Sequence, residues 1–147
     1  MAGTVWELIL QEHQLVRDLM SKVAASDGEQ RISLLDELRT KVVNHASLEE
    51  TLIYPLLEEM DKDLADRAEE ETEEIEEQLV ALSKLDAANA EFAEAMQDAL
   101  QVTLAHIEDE EQRIIPLMQR EIGDERSTKL GQEWVRTKQE IASEPEA

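Results

Sequence analysis

The chain is 147 residues long, sets 36 Asp and Glu against 14 Lys and Arg, and carries a formal charge of -22. That length suits one domain with a sizeable core, and the charge speaks against nucleic acid or an anionic membrane as partner, since both select a basic face. With no cysteine, a disulfide framework, a thiolate metal site and a cysteine nucleophile are excluded. No apolar run approaches the ~20 residues of a membrane span. The opening stretch MAGTVWELILQEHQ meets acidic and polar residues too early for a secretion signal, and a cytoplasmic location is expected.

Leu, Ala, Glu, Gln and Met dominate, aromatics make up 3% of the chain, and no alternating Val/Thr/Tyr run or Asn-Gly hairpin appears. An all-α domain follows. In chain order, the first helix is expected over about 4–25, ending in the loop ASDGEQ with Gly28 in the turn. The second runs over about 30–58, to EEMDKD, and the third over about 62–84, to SKLDAANA. The fourth covers about 87–121 and stops at Gly123; the fifth covers about 124–142, with Asp124 as its N-cap and a frayed SEPEA tail. Four long helices with short links favour an up-down-up-down four-helix bundle over residues 1–121, with the additional C-terminal helix and tail of 122–147 packed on it. Trp6 reads as core and Trp134 as the residue that docks the fifth helix.

Three-four spacing gives the inward stripes. The first helix turns in Trp6, Ile9, His13, Val16, Met20 and Val23; the second Leu35, Leu38, Val42, His45, Glu49, Leu52 and Leu56. The third turns in Leu64, Ala68, Thr72 (or Glu71), Ile75, Leu79 and Leu82; the fourth Phe92, Met96, Ala99, Thr103, His106, Glu110, Ile114 and Leu117. Each stripe is apolar at its ends and polar in its middle. His13, His45, Glu49, His106 and Glu110 occupy positions where the period asks for Leu or Val. A buried carboxylate is costly by several kcal/mol unless it is paired or binds a cation. Counting back about 16 Å from the ends of the second and fourth helices puts these groups at one level of the bundle.

The two blocks HASLEETLIYPLL and HIEDEEQRIIPLM repeat one pattern: His45/His106, Glu49/Glu110, Glu50/Glu111, Ile53/Ile114, Pro55/Pro116 and Leu56/Leu117. Residues four apart share a helix face, so each block offers one imidazole and one carboxylate inward. Imidazole with carboxylate, and no thiolate, suits iron, manganese or zinc. The plainer alternative is a pair of buried His–Glu hydrogen bonds that fix the register of a metal-free helical interaction protein. The two prolines are expected to kink the helix ends over the core.

In this order of motifs, QEHQLVRDLM around His13, the two His-x-x-x-Glu blocks and LGQEW near the C-terminus, the chain resembles the hemerythrin-like proteins that carry an HHE cation-binding domain. The resemblance covers nearly the whole chain. It implies a four-helix bundle around a non-haem di-iron centre, with the two irons oxo- or hydroxo-bridged and manganese or zinc ranking behind iron. Glu49 and Glu110 would bridge and His13, His45 and His106 would hold terminal positions. The implied partners are O2, peroxide or another small diatomic ligand, in a monomer or weak homodimer. The implied activity is binding, or a weak catalase, peroxidase or oxidase reaction. The alternative is an iron- or redox-sensing or metal-storage module, mononuclear if the second metal is absent. No catalytic or further cofactor-binding residue is assigned.

One departure stands out. The family carries a histidine on the third helix, where AEEETEEIEEQL offers none. Glu69 is taken as its replacement in the ligand set, with Glu71, Glu73 or no residue as the other choices. The loss would open positions on the metal, favouring peroxide chemistry, oxidation or iron handling over reversible O2 carriage. Tyr54, nine residues past His45, is expected to point away from it, at the bundle end, unless Pro55 distorts the helix.

Overall fold

The computed structural model describes residues 3–143, and among these the chain is helical with no strand. Helix α1 (Val5–Ala25) starts where the Thr4 hydroxyl accepts from the Glu7 N–H, and α2 (Gly28–Leu52) follows Gly28, whose φ of 55° turns the chain. A short α3 (Tyr54–Met60) continues α2 beyond a break at Ile53. Asp61 caps α4 (Lys62–Ser83) by accepting from the Leu64 N–H at 3.1 Å. Asn89 caps α5 (Ala90–Asp109), which starts three residues later than its sequence suggests because the cap fixes Glu91 as the first turn. A π turn, Glu110–Ile114, leads without interruption into α6 (Ile115–Ser143).

The second helix of the sequence reading is therefore two. Pro55 lacks the N–H that would continue the ladder and its ring crowds the preceding turn, so the backbone departs from helix at Ile53 (φ -107°, ψ -53°). Pro116 does not break its helix; it follows the wider π turn, where the ring meets less backbone. Gly123 separates two helices, as the sequence leads one to expect: its φ of 71° and ψ of 175° are non-helical, so the run Ile115–Ser143 is two helices joined at a sharp kink, a conformation open to glycine without strain.

The helices α1, α2 with α3, α4, and α5 with the first part of α6 form the bundle. Beyond Gly123, α6 folds back onto α1: Trp6 Nε1 donates to Ser127 Oγ at 2.8 Å, and Ser127 donates to the Gly123 carbonyl at 2.6 Å. Gly131 sits against the Gly3 carbonyl and the Val5 nitrogen, so the two backbones cross with no room for a side chain.

Two apolar clusters fill the bundle. One, at the α3 end, includes Trp6, Ile9, Leu48, Ile53, Leu57, Met118 and Trp134; the other, at the opposite end, includes Val23, Leu38, Ile75, Leu79, Phe92 and Met96. Each fully buried large side chain contributes about 1.5–3 kcal/mol. Between the clusters lies a polar layer of His13, Glu49, Thr72, Thr103 and Glu110, all buried. No helix of the described residues is long and apolar enough to cross a membrane.

The α1–α6 crossing can be tested with Gly131→Ala. Alanine favours helix over glycine, yet its Cβ would meet the Gly3 carbonyl and lie 3.1 Å from Val5 N. Overpacking of this kind costs about 1–3 kcal/mol. The urea midpoint is expected to fall; an unchanged or higher midpoint contradicts so close a crossing.

Candidate metal centre

Four helices feed the polar layer. Helix α1 supplies His13 and its neighbour Glu12; α2 supplies His45 and Glu49; α4 supplies Thr72 and Glu71; and α5 with the π turn supplies His106, Glu110 and Glu111. The inward carboxylates lie within reach of the inward nitrogens: His45 Nε2 is 3.0 Å from Glu49 Oε1, His13 Nε2 is 3.4 Å from Glu110 Oε1, and His106 Nε2 is 3.7 Å from Glu110 Oε2. The His13 and His45 rings are 5.1 Å apart. The five residues His13, His45, Glu49, His106 and Glu110 thus converge, and they do so as two groups, His13–His45–Glu110 and Glu49–His106–Glu110, which share Glu110.

The outer nitrogens follow one rule. His13 Nδ1 lies 2.7 Å from Glu111 Oε2, His45 Nδ1 lies 2.9 Å from Glu12 Oε1, and His106 Nδ1 lies 3.0 Å from Glu71 Oε1. An ionised carboxylate only accepts, so each Nδ1 carries a proton, and a neutral imidazole so held presents its Nε2 lone pair to the centre. A carboxylate behind a histidine is how metal-binding imidazoles are oriented and made more basic. The carboxylates are themselves held. Arg17 grips Glu111 with two bonds of 3.0 Å, and Trp134 Nε1 donates to Glu12 Oε2 at 2.6 Å. Burial pushes the Glu12 and Glu111 carboxyls up, but these partners outweigh it and hold both below the usual carboxylate range.

The π turn explains how two consecutive glutamates serve one histidine. Slipping the hydrogen bonding by one residue widens the turn, and Glu110 then addresses His13 Nε2 while Glu111 addresses Nδ1. The break at Ile53 has a comparable effect. It swings Tyr54 inward, against the sequence expectation, so that its hydroxyl lies 3.3 Å from Thr72 Oγ1 and 3.5 Å from His106 Nε2. Ideal helix would have carried Tyr54 to the far side of α2; the missing turn at Pro55 rotates it back.

Glu69 does not join the cluster. Its side chain is exposed on α4, because a residue three before the inward Thr72 and one after the inward Ala68 falls off the buried stripe. Glu73 is likewise exposed, and Glu71 reaches only the outer nitrogen of His106. The α4 position facing the centre is Thr72, which donates to the Ala68 carbonyl at 2.8 Å. Glu12 and the outer role of Glu71 and Glu111 were missed in the sequence. Their signal is adjacency: each sits one residue from an inward position, about 100° round the helix, at the edge of the buried stripe.

Whether a cation fits can be judged from the carboxylates. Glu49 is 2% exposed and Glu110 1%. Glu49 Oε2, both oxygens of Glu110 and His45 Nε2 have no hydrogen-bond partner among the described residues. Buried polar atoms of this kind are rare unless something else satisfies them. Burial, then the neighbouring Glu49 charge, pushes Glu110 up to about 7. Burial would lower His45, but Glu49 and Glu12 raise it well above its ordinary value. Four inward carboxylate oxygens and three inward imidazole nitrogens make an O/N donor set for a hard or borderline divalent or trivalent cation. The residues fit.

Fold and site together define a class: a helical bundle whose core carries His/Glu groups that could hold a cation. Residues 4–118 match the model of the hemerythrin HHE cation-binding domain, and the chain belongs to that family. It is 24% identical over 137 residues to an uncharacterized hemerythrin-like protein of Schizosaccharomyces pombe, covering 90% of this chain and 68% of that one. A crystal structure of a hemerythrin HHE cation-binding domain-containing protein from Mycobacterium kansasii superposes with a TM-score of 0.84 at 24% identity, over 93% of this chain and 86% of the other. At that identity the likeness establishes the fold.

Without metal, the layer holds protons in place of a cation, and this gives a sign. Glu110, raised to about 7, binds its proton more tightly folded than unfolded, so its contribution is lost as pH rises from about 4.5 through 7. His45, also raised, contributes below its ordinary 6.5 and loses that contribution as pH rises past its folded value. Glu12 and Glu111 act in the opposite sense, but only on acidification below the ordinary carboxylate range. The chelator-stripped protein should therefore melt at progressively lower temperature from pH 5 to pH 8. A melting temperature that rises across this window contradicts the reading.

Proposed function

We propose that this protein holds two iron ions in the polar layer and binds O2 or hydrogen peroxide there. The observation that carries the proposal is the pair of His/Glu groups sharing Glu110, with the buried oxygens of Glu49 and Glu110 left for a cation. Two groups with a common carboxylate favour a dinuclear centre over a mononuclear one. His13, His45 and Glu110 would hold one iron, and Glu49, His106 and Glu110 the other. Iron fits better than a harder ion because three imidazoles accompany the carboxylates.

Tyr54 takes the place left by the absent third-helix histidine. Its oxygen lies on the His106 side of the centre, beside Thr72. Burial, then the charges of Glu49 and Glu110, raise its pKa well above the ordinary value, so in metal-free protein the phenol keeps its proton. A cation would reverse the local charge logic, and Tyr54 is the residue that would then offer a phenolate oxygen to ferric iron.

A cavity of about 30 Å³ adjoins the centre, bounded by His13, His45, Glu49 and His106 and closed by Val16, Val42, Ala46, Ile75 and Ile107. That is room for one water-sized molecule, which selects small ligands. Thr103 and Thr72 both spend their hydroxyl protons on backbone carbonyls of their own helices, so the cavity wall is mainly apolar and offers no charged donor beyond the site itself. Iron bound here would supply an open position at which O2 or peroxide exchanges electrons with the metal. The chain's own groups orient the imidazoles, exclude bulk water and limit the ligand's size.

Protein produced in iron-rich medium should hold about two irons per chain and show a visible phenolate-to-ferric absorption band. Tyr54→Phe should lose that band and keep the iron. Stoichiometric zinc, or no metal after gentle purification, contradicts the iron reading; an unchanged band in the variant contradicts the tyrosine ligand alone. Peroxide consumption no faster than that of the same iron free in solution would leave binding as the function rather than turnover.

A further inference from the structure

The family match ends at residue 118, yet the most buried link to His45 comes from beyond it. Trp134, 1% exposed, donates its indole N–H to Glu12 Oε2 at 2.6 Å, and the other oxygen of Glu12 accepts from His45 Nδ1 at 2.9 Å. The indole also packs edge-on against the His45 ring, with centroids 5.4 Å apart. Lys138, one turn on, reaches the same Glu12 oxygen at 3.4 Å. His45 is thus fixed on its edge by Glu12 and on its face by Trp134. A cavity of about 70 Å³ beside Glu12 and His45 is lined by Lys41 of α2 and Lys138 of α6, so the C-terminal segment contributes to this flank of the centre.

We propose that Trp134, with Lys138, is a positioning residue for the metal centre: it holds Glu12 so that His45 keeps its inward orientation and retains the cation. The inference rests on the metal reading above and adds to it that the C-terminal helix belongs to the site. Among the described residues, His13 and His106 have no such tether: their outer carboxylates are held by Arg17 on α1 and faced by Arg67 on α4 (Nε to Glu71 Oε2, 3.8 Å), within the bundle itself. It is the His45 corner that leans on the C-terminal helix, and metal occupancy and helix docking are coupled through it. Coupling is reciprocal by linkage, so loading the metal also tightens the docking of the helix.

The molecule contains its own control. Trp6 also donates its indole N–H across the α1–α6 crossing, to Ser127 at 2.8 Å, without touching the centre. Trp134→Phe and Trp6→Phe each remove one such donor and keep a ring. Iron release to a strong chelator is followed by absorbance, with the spectrum of the loaded protein as a second readout. Trp134→Phe should release iron about tenfold faster or more, the range seen when an outer partner of a metal-binding histidine is removed, and should shift the spectrum. Trp6→Phe, which loosens the same helix but leaves the Glu12 donor in place, should change both far less than Trp134→Phe, even where its melting temperature falls as far. Glu12→Gln, which keeps shape but weakens the acceptor for His45, should accelerate release as Trp134→Phe does and serves if the latter does not fold. Equal acceleration in both tryptophan variants, or none in Trp134→Phe and Glu12→Gln, overturns the proposal while leaving the metal reading intact. A wild-type protein that takes up no metal overturns both.

Discussion

Two carboxylates, Glu49 and Glu110, are buried side by side in the middle of a helical bundle, and the rest of the molecule is arranged around that constraint. Taking one carboxylate from water costs several kcal/mol even after relaxation, and placing a second beside it adds repulsion. Apolar clusters flank the pair at both ends of the bundle, so the polar layer interrupts a core that is otherwise hydrophobic. Imidazoles alone do not resolve the conflict, because four carboxylate oxygens face three nitrogens and several oxygens remain without a donor. A cation held by the two groups that share Glu110 would resolve it.

Regular helices would not have made this centre. Beside the layer the backbone departs from α geometry at two places. The π turn sets Glu110 and Glu111 on either side of His13, and the break before Pro55 carries Tyr54 to the position opposite Thr72. Local irregularity of this kind costs backbone hydrogen bonding and survives when the surrounding packing fixes it. Here the fixing residues are large and fully buried: Ile53, Leu57, Ile114 and Met118 flank the two irregular turns.

Much of this was legible in the residues. The helical stripes locate His13, Glu49 and Glu110 in the interior because a 3.6-residue period leaves them no other face, and the repeated His-x-x-x-Glu blocks announce their pairing. The Tyr54 orientation was not legible, since it depends on how far a proline break rotates the chain, a quantity no periodicity reports. Glu69 was chosen for its sequence register with a lost histidine, and its exposure shows why register alone misleads: α4 turns Ala68 and Thr72 inward and leaves Glu69 outside. The supporting carboxylates Glu12, Glu71 and Glu111 were hidden among many acidic neighbours on a chain of charge -22. Only three-dimensional pairing with an Nδ1 separates them from glutamates that face water.

The family match ends at residue 118, but the hydrogen bonds of His45 run through Glu12 to Trp134, so the segment past Gly123 is tied to the residues of the candidate centre. The most direct test of the account is anomalous scattering from crystals of the iron-grown protein, recorded on either side of the iron edge. The account predicts two iron peaks in the polar layer, one against His13, His45 and Glu110 and the other against Glu49, His106 and Glu110. No peak there, or metal bound only to surface glutamates, would contradict it.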